Sequence, residues 1–575
     1  MLKVKYFYLF LFSFFLFFSA YSATPAFPSA EGYGKWATGG RGGQVVEVTN
    51  LLDDASGTTA GSLRWALKQH STSPITVVFR VSGIISLVAD LRSSRTAGTT
   101  IAGQTAPGDG ICIRGAKCNF GGSQNLIIRH IRFRIGLKGD TAFAAGGSIG
   151  IENAGNFIID HCTFGWSGEE NMTIYDNNNT TIQWCILHEG LYASGHAKGA
   201  RSYASQWGGQ TATYHHNLLA HNVSRTPRFN GARSNDVNVL MEYVNNVNYN
   251  WGKSNSAYGG DIENQTHRVN FLNNYYKPGP ARPGSSSSYF VQSSYNSIQG
   301  SSKIAYWYMS GNVMEGSANA TITSNNALGV DVGGYPTSVR SSIVVTTPFV
   351  IPDPVNAETA IKAYESVLAK AGAFPRDTVD RRIINEVRSG TATGKGTSQR
   401  YLNNDGTTYS NNPYYNLAKG IIDNPLAVGG YPAYNIYNTV SDIDRDGIDD
   451  AWELSKGLNP ANSEDRNTMS SSGYTALEVY LNSLVGEQIQ FGSTDIANTK
   501  QSGVGIYLNP SKNLINIISP ESISNYSVLD ISGKCIDKAM GSDITSINVN
   551  NLSQGIYLLA LQLESGRKVN LKFSK

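Results

Sequence analysis

One pattern, present in seven copies between about residues 125 and 316, limits what this chain can fold into. It reads NLIIRHIRFRIG (125–136), NFIIDHCTFGWS (156–167), NTTIQWCILHEG (179–190) and TATYHHNLLAHN (211–222). It returns as VNVLMEYVNNVNYN (237–250), HRVNFLNNYYKPG (267–279) and IAYWYMSGNVMEG (304–316). Each copy is a short β-prone run with alternating apolar positions, followed by a turn rich in Asn and Gly. A unit this small cannot bury a core alone, so successive copies must stack. The expected fold is all-β, a right-handed parallel β-helix rather than a propeller or sandwich. Asn217, Asn246, Asn274 and Asn312 fall at comparable points and are expected to bond one another along the stack. Cys162 and Cys185 also occupy matching places and read as buried, stacked side chains. The copies differ in length, so loops of different size project from one side, where a long groove can form.

Composition agrees with an exported β-rich protein. Only 15% of residues are charged, against about a quarter in ordinary globular chains. The net charge of +3 over 575 residues gives no reason to expect nucleic acid as a partner, though a local basic groove for a polyanion remains open. Residues 1–22 carry Lys3 and Lys5, a Phe/Leu-rich run and a small-residue ending, the pattern of a secretory signal peptide. No later segment is long and apolar enough to span a membrane. The chain is expected to be secreted or attached to the cell surface, and to act as a monomer. Five cysteines show neither the density of a disulfide scaffold nor the spacing of a zinc site.

Beyond the repeats the pattern changes. AETAIKAYESVLAKAG, within 357–388, has helical apolar spacing and ends at Gly372; it reads as a helical add-on packed on the solenoid. A Tyr/Asn/Gly-rich stretch at 401–416 reads as irregular loop. At 442–453, DIDRDGIDDAWE places Asp442, Asp444, Asp446, the Ile448 carbonyl, Asp450 and Glu453 at the ligand positions of a twelve-residue calcium loop, with Gly447 at its sharp turn. These residues resemble the calcium-stapled spacers of thrombospondin type 3 and dockerin-like repeats, and GYTALEVYLNSL (473–484) supplies a following helix. The last seventy or so residues hold three alternating strands. Their Asn-Pro start, Asp-x-x-Gly-Lys turn and Gly-x-Tyr strand resemble the C-terminal sorting domain of the type IX secretion system of Bacteroidetes. That resemblance implies a small β-sandwich that addresses the chain to secretion machinery and is then removed. The expected organisation is 1–22 signal peptide, 23–430 β-helix with helical add-on, 431–485 calcium-loop spacer, 486–502 linker and 503–575 sorting domain.

Three clusters in the repeats carry chemistry. IIDHCTFGWSGEEN (158–171) holds Asp160, His161, Glu169 and Glu170; HEGLYASGHAKG (188–199) holds His196 and Lys198; HHNLLAHNVSRTPRFNG (215–231) holds Arg225 and Arg228. Stacking brings residues of successive coils side by side. Carboxylates then suit a hard cation such as calcium, while lysine and arginines suit an anionic substrate. Adjacent residues of a straight strand point to opposite sides, so His215 and His216 are expected not to share a metal and to be structural.

Over 26–390 the chain resembles the polysaccharide lyase family 1 pectate lyases. The resemblance rests on AFPSAEGYG, GSLRWAL, TIAGQTAPGDG, FIIDHCTF, GHAKG and SRTPR, in that order. It implies cleavage of polygalacturonate by β-elimination with Ca2+, Arg225 as the base at C5 and Lys198 against the developing negative charge. His196 and Arg228 would bind substrate; Arg228 takes this role because Asn230 stands where relatives carry a further arginine. Glu169, Glu170 and, from an extended loop, Asp140 are the expected groove calcium ligands, with Asp160 either a further ligand or a residue that only holds its coil in place. The acidic pair that many relatives carry on the preceding coil is absent from AAGGSIGIEN (144–153). A lyase acting on methylated pectin, or a non-catalytic pectin-binding surface protein, are the competing readings.

Overall fold

Left-handed backbone just after successive first-sheet strands sets the architecture. His130, His161, Trp184, His216, Asn245 and Asn273 all have φ between 46° and 57°, and each follows the last residue of a strand. The chain therefore turns sharply inside every copy of the pattern. What reads in sequence as one β run is two strands on different sheets, as in Gln124–Arg129 and Ile131–Arg134 around His130. The computed structural model describes residues 24–491 and 504–575, apart from 70–72, 94–97, 138–145, 231–237, 262–265, 283–286, 294, 297–302, 334, 438, 510–512, 531–532, 542–543 and 554. The proposed signal peptide, Asp140 and most of the 486–502 linker lie outside the described residues.

Three parallel sheets run the length of the solenoid, a right-handed parallel β-helix as expected. The first sheet contains Gly155–Asp160, Asn178–Gln183 and Thr211–His215; the second contains Thr163–Gly165, Ile186–His188 and Leu218–Ala220. The third contains Ile149–Glu152, Glu170–Tyr175 and Tyr203–Trp207. Pairing is in register from coil to coil, so like stacks on like inside. Phe133 lies over Phe164 with ring centroids 5.1 Å apart, and Ile128, Ile159, Ile182, Met172, Ile174 and Trp207 are fully buried. Burial at about 25 cal/mol per Å² of apolar surface is the main source of stability.

The asparagine ladder forms at the residue after the left-handed turn. Asn217 donates its backbone N–H and its amide to Asn246 Oδ1, both at 3.0 Å. Asn246 does the same to Asn274 (2.9 and 3.2 Å), and Asn274 to Asn312 (2.9 and 2.8 Å). The stack continues to Asn326, and at its other end Asn217 Oδ1 accepts from the Cys185 backbone (2.9 Å). Cys162 and Cys185 are buried free thiols. Every ladder residue is buried, so a missing amide strands several donors and acceptors at about 1–3 kcal/mol each. Asn246→Ala is expected to lower unfolding free energy by about 2–4 kcal/mol, read from the urea midpoint at unchanged slope. A loss under about 1 kcal/mol would remove the ladder from the list of stabilising elements.

Helices Ala360–Lys370 and Thr378–Ser389 cover the second sheet, burying Val367, Leu368, Ile383, Ile384 and Val387 against Ile186, Leu218, Val247 and Tyr249. The second helix starts at the Asp377 N-cap and ends at Gly390, left-handed at φ 72°. The 401–416 stretch is not wholly irregular: Arg400–Leu402 and Tyr409–Asn411 form an antiparallel ribbon. Residues 441–487 pack on the outer face of the first sheet, within one compact unit that runs to Gln490. The segment expected as a spacer is thus docked along its length by side chains of the early coils. The second unit, from Phe491 onward, holds two antiparallel sheets. Its longest strand, Ile556–Leu563, alternates exposed and buried residues, with Leu559, Leu561 and Leu563 in a core shared with Val528, Ile515 and Ile547.

Candidate active site

The third sheet presents the chemistry. Glu152 lies opposite Tyr175, Glu170 opposite Tyr203, and Gln206 opposite Arg228 on neighbouring strands. Met172, Ile174, Trp207 and Phe229 point into the core, which fixes the strands. Outward residues and the adjoining loops enclose a cleft of about 370 Å³. Its walls carry Lys117, Lys198, Arg201, Arg225 and Arg228 against Glu152, Glu169 and Glu170. Five cations against three carboxylates give a net positive floor, suited to an anionic chain.

Arg225 sits at the centre. It is a left-handed residue, φ 58°, in a segment laid beside Tyr203–Trp207, where Ser205 donates its backbone N–H to the Arg225 carbonyl (2.8 Å). The next residue is anchored below the cleft: Thr226 is buried and bonded to Ser256, while Asn248, held by the Tyr243 hydroxyl (2.6 Å), donates to the Thr226 carbonyl. Arg225 Nη1 donates to Glu170 and to Gln206 Oε1 (2.7 Å), and its guanidinium lies 4.3 Å from the Tyr203 ring. Strained backbone on a rigid support is a recurrent feature of sites that must aim one side chain. Burial pulls the pKa of the Arg225 guanidinium below its ordinary value; the Tyr258 hydroxyl opposes this and the Arg228 charge adds to it.

The loop after Ile186–His188 brings the second pair. His196 Nε2 is 3.2 Å and Lys198 Nζ 3.8 Å from Glu169 Oε1, and His196 Nδ1 accepts from the Lys198 backbone N–H (3.0 Å). The Lys198 side chain is 72% exposed, so its ammonium is free to meet a ligand in the cleft. Burial lowers the His196 pKa, with Glu169 pulling the other way. Arg228 lies over Tyr258, 5.8 Å to the ring centroid. Arg225, Lys198, His196, Arg228, Glu169 and Glu170 are therefore brought together as the sequence suggests.

Asp160 is not with them. It ends a first-sheet strand at the corner next to His161 and is wholly buried, on a different sheet from the cleft. Its oxygens accept from Arg129 (2.7 Å), His161 (2.8 Å) and Gln183 (2.8 Å). With its charge met by Arg129 and its place at the end of a first-sheet strand, it holds the coil and lies apart from the groove carboxylates. His215 and His216 are buried in the scaffold, but strand alternation does not describe them. His215 ends its strand and His216 takes the left-handed turn, so the two rings meet at 2.8 Å between Nδ1 atoms instead of pointing apart. In the acidic loop, Asp442, Asp444, Asp446 and Glu453 converge while Asp450 does not. Asp450 uses its carboxylate on the Ser441 hydroxyl and the Ile443 N–H (3.0 Å). Ile448 holds the turn from within, its N–H donating to Asp446 Oδ1 (2.9 Å) and its side chain buried.

Sequence reasoning missed Glu152, Lys117, Arg201, Tyr203 and Gln206, which complete the cleft. Third-sheet strands are short and follow loops of unequal length, so the pattern that aligns the other two sheets does not reach them. The available signal was the acid at the end of SIGIEN, one coil before Glu170.

Comparison with known proteins adds three findings. Residues 505–573 match the family model described as "Secretion system C-terminal sorting domain". A protein of Aspergillus fumigatus named "Probable pectate lyase C" is 32% identical over 468 residues, covering 81% of this chain and 95% of its own. A "Pectate trisaccharide-lyase" of Thermotoga maritima is 30% identical over 206 residues, 33% of this chain and 48% of its own. Among solved structures, a pectate lyase from Bacillus sp. N165 in complex with trigalacturonate covers 60% of this chain and 98% of its own, at 18% identity and a TM-score of 0.37.

Proposed function

The chain belongs to the pectate lyase family, and from that premise we propose that its third-sheet cleft cleaves polygalacturonate by calcium-assisted β-elimination with Arg225 as the base. Export is by the type IX route that the C-terminal sorting domain addresses. The observation that carries the reading is the placement of Arg225 in a net-positive cleft between Glu170, Gln206 and Tyr203, with Lys198 across from it.

β-Elimination removes the proton at C5 of a uronate and expels the C4 oxygen, leaving a C4–C5 double bond. Lys198, Arg201 and Arg228 bind carboxylates of successive sugars by charge, and the guanidinium of Arg228 offers a planar fork for one of them. Arg225 takes the C5 proton on a guanidine nitrogen. Its base form is scarce at neutral pH, because guanidinium pKa values exceed 12. Burial enlarges that fraction, and the pairing with Glu170 opposes it. Lys198 stands ready to meet the charge that develops on the uronate carboxylate as C5 gives up its proton.

Calcium fits the donor set in part. Glu152, Glu169 and Glu170 supply hard oxygen donors on adjacent coils. Among the described residues they do not form a close-set triad of the kind found in the acidic loop. Three spread carboxylates suit an ion that takes the rest of its coordination from the substrate. Bound there, calcium would withdraw charge from the uronate and acidify its C5 proton.

One assay tests this. Polygalacturonate and methylated pectin are each given to the mature protein with and without a chelator, and ultraviolet absorbance of the unsaturated product is followed. Absorbance on polygalacturonate that disappears with the chelator is expected. No product from either substrate would end the lyase reading, and activity indifferent to the chelator would take calcium out of the mechanism. Preference for methylated pectin would contradict the role given to the five cations.

A further inference from the structure

The acidic loop serves no purpose in the cleft, yet its carboxylates are arranged in a way that demands an explanation. One oxygen each of Asp442, Asp444 and Asp446 lies within 4.8 Å of the others, and Asp446 forms a second such group with Glu453 and Asp465. Glu453 is fully buried, and neither of its oxygens has a hydrogen-bond partner. Asp446, 1% exposed, leaves Oδ2 unpartnered, as do Asp444 at Oδ2 and Asp465 at Oδ1. Uncompensated buried carboxylates are strongly unfavourable, and Arg80 compensates Asp442. An all-oxygen set at loop positions 1, 3, 5 and 12 is the donor chemistry of a calcium-sized hard cation.

We propose that these residues bind a calcium ion, with Asp465 as a ligand from outside the twelve-residue loop, and that the ion clasps residues 441–487 onto the first coils of the solenoid. Asp465 opens a short 3-10 turn, Asp465–Asn467, and fills the place left by Asp450, whose carboxylate is used inside the loop. The outer side of the clasp is held by three arginines of the solenoid. Arg80 joins Asp442 to Glu47, the latter at 2.7 Å. Arg41 pairs with Glu478 (2.7 Å), and Arg129 binds both Asn482 (2.8 Å) and Glu487 (2.7 Å). Gly447, left-handed at φ 97°, packs so closely on the first sheet that an added Cβ would sit 3.1 Å from Val45 Cγ1 and Leu477 Cδ1. The ion thus fixes the inner shape of a piece whose outer face is already cut to the solenoid. Without it the five carboxylates repel one another, and the Arg80 end of the clasp loosens first.

The test uses the full-length protein and calcium alone. Hydrogen exchange with and without chelator reads the clasp in the unmodified chain: residues 442–453 and 465–482 are expected to exchange about tenfold or more faster once calcium is removed. Calorimetric titration counts tight sites, and the double variant Glu453→Gln/Asp465→Asn is expected to lose one of them. The melting temperature of that variant should no longer respond to chelator, while turnover at saturating calcium stays within about twofold of the parent. Unchanged exchange at 442–453 on chelation overturns the proposal, as does an unchanged number of tight sites in the variant. If the variant does not fold, the exchange experiment on the unmodified chain decides. Because that readout lies on the first sheet and not in the cleft, it stands or falls independently of any calcium used in turnover.

Discussion

Replacing Arg225 by alanine is expected to lower kcat on polygalacturonate by about 10³- to 10⁴-fold, with the far-ultraviolet circular dichroism of the solenoid unchanged. The argument is local. Thr226, the neighbour that anchors this segment, is held through Ser256 and Asn248, while the Arg225 side chain bonds to Glu170 and Gln206 in the cleft. Alanine therefore removes the proposed base while leaving the support in place. Arg225→Lys separates a base from a mere clamp. Lysine keeps the charge, so a clamp would survive with KM raised and kcat nearly intact. A base placed by Tyr203 and Gln206 would not be recovered, because a flexible ammonium does not reproduce the planar fork, and kcat should fall by about 10²-fold or more. The pH profile carries the same message with a definite sign. Burial lowers the Arg225 pKa, and only the deprotonated form can act as the base, so kcat should climb as pH rises through the alkaline range. That climb should vanish from the residual activity of the alanine variant. A near-normal rate in Arg225→Ala would overturn the assignment.

Legibility of this protein from sequence follows the repeat. The ladder positions Asn217, Asn246, Asn274 and Asn312 could be picked out because the left-handed turn recurs at a fixed place after an apolar run. The same regularity put Lys198, Arg225 and the Glu169–Glu170 pair near one another, since coils stack in register. It failed where the period ends. Asp160 could be read either as a groove ligand or as a residue that holds its coil; it ends a first-sheet strand, away from the cleft, and its partners Arg129 and Gln183 come from adjacent coils. His215 and His216 were judged by strand alternation, which stops at the turn itself. Glu152 and Lys117 reach the cleft through third-sheet strands whose spacing is scrambled by loops. The calcium loop was plain as a motif, whereas its docking on Arg80 was not, because an ion pair spanning 362 residues leaves no local trace.

The same blindness to distance hid a buried cluster of two arginines and two aspartates, and the second large effect is expected there. Arg132 and Arg134 belong to the second-sheet strand Ile131–Arg134, and both side chains are wholly buried. Their counterions arrive from the helix Thr378–Ser389 and its cap. Arg134 binds Asp377 and, at 2.6 Å, Asp380, while Arg132 Nε lies 3.3 Å from Asp377 and 3.7 Å from Asp380. Asp380 also accepts from the Thr163 hydroxyl (3.0 Å), and Asp377 accepts from Tyr434 (2.8 Å) and from the Asp380 N–H (2.9 Å) as N-cap. Burial alone would push the Asp377 carboxyl up; the Arg134 and Arg132 guanidinium groups more than reverse that and hold it well below the usual carboxylate range. Two buried cations thus depend on two carboxylates from an element 246 residues away. Asp380→Ala leaves those two buried cations with Asp377 as their one carboxylate in this cluster, and should cost about 3–5 kcal/mol of unfolding free energy. The urea midpoint at unchanged slope reports it. Removing both partners is a different matter. A double variant, Arg134→Met with Asp380→Leu, replaces an ion pair by apolar surface and should be markedly less destabilised than the two single changes added together. If Asp380→Ala lies within about 1 kcal/mol of the parent, or if the double variant equals the sum of the singles, the cluster is not what fastens this helix to the solenoid.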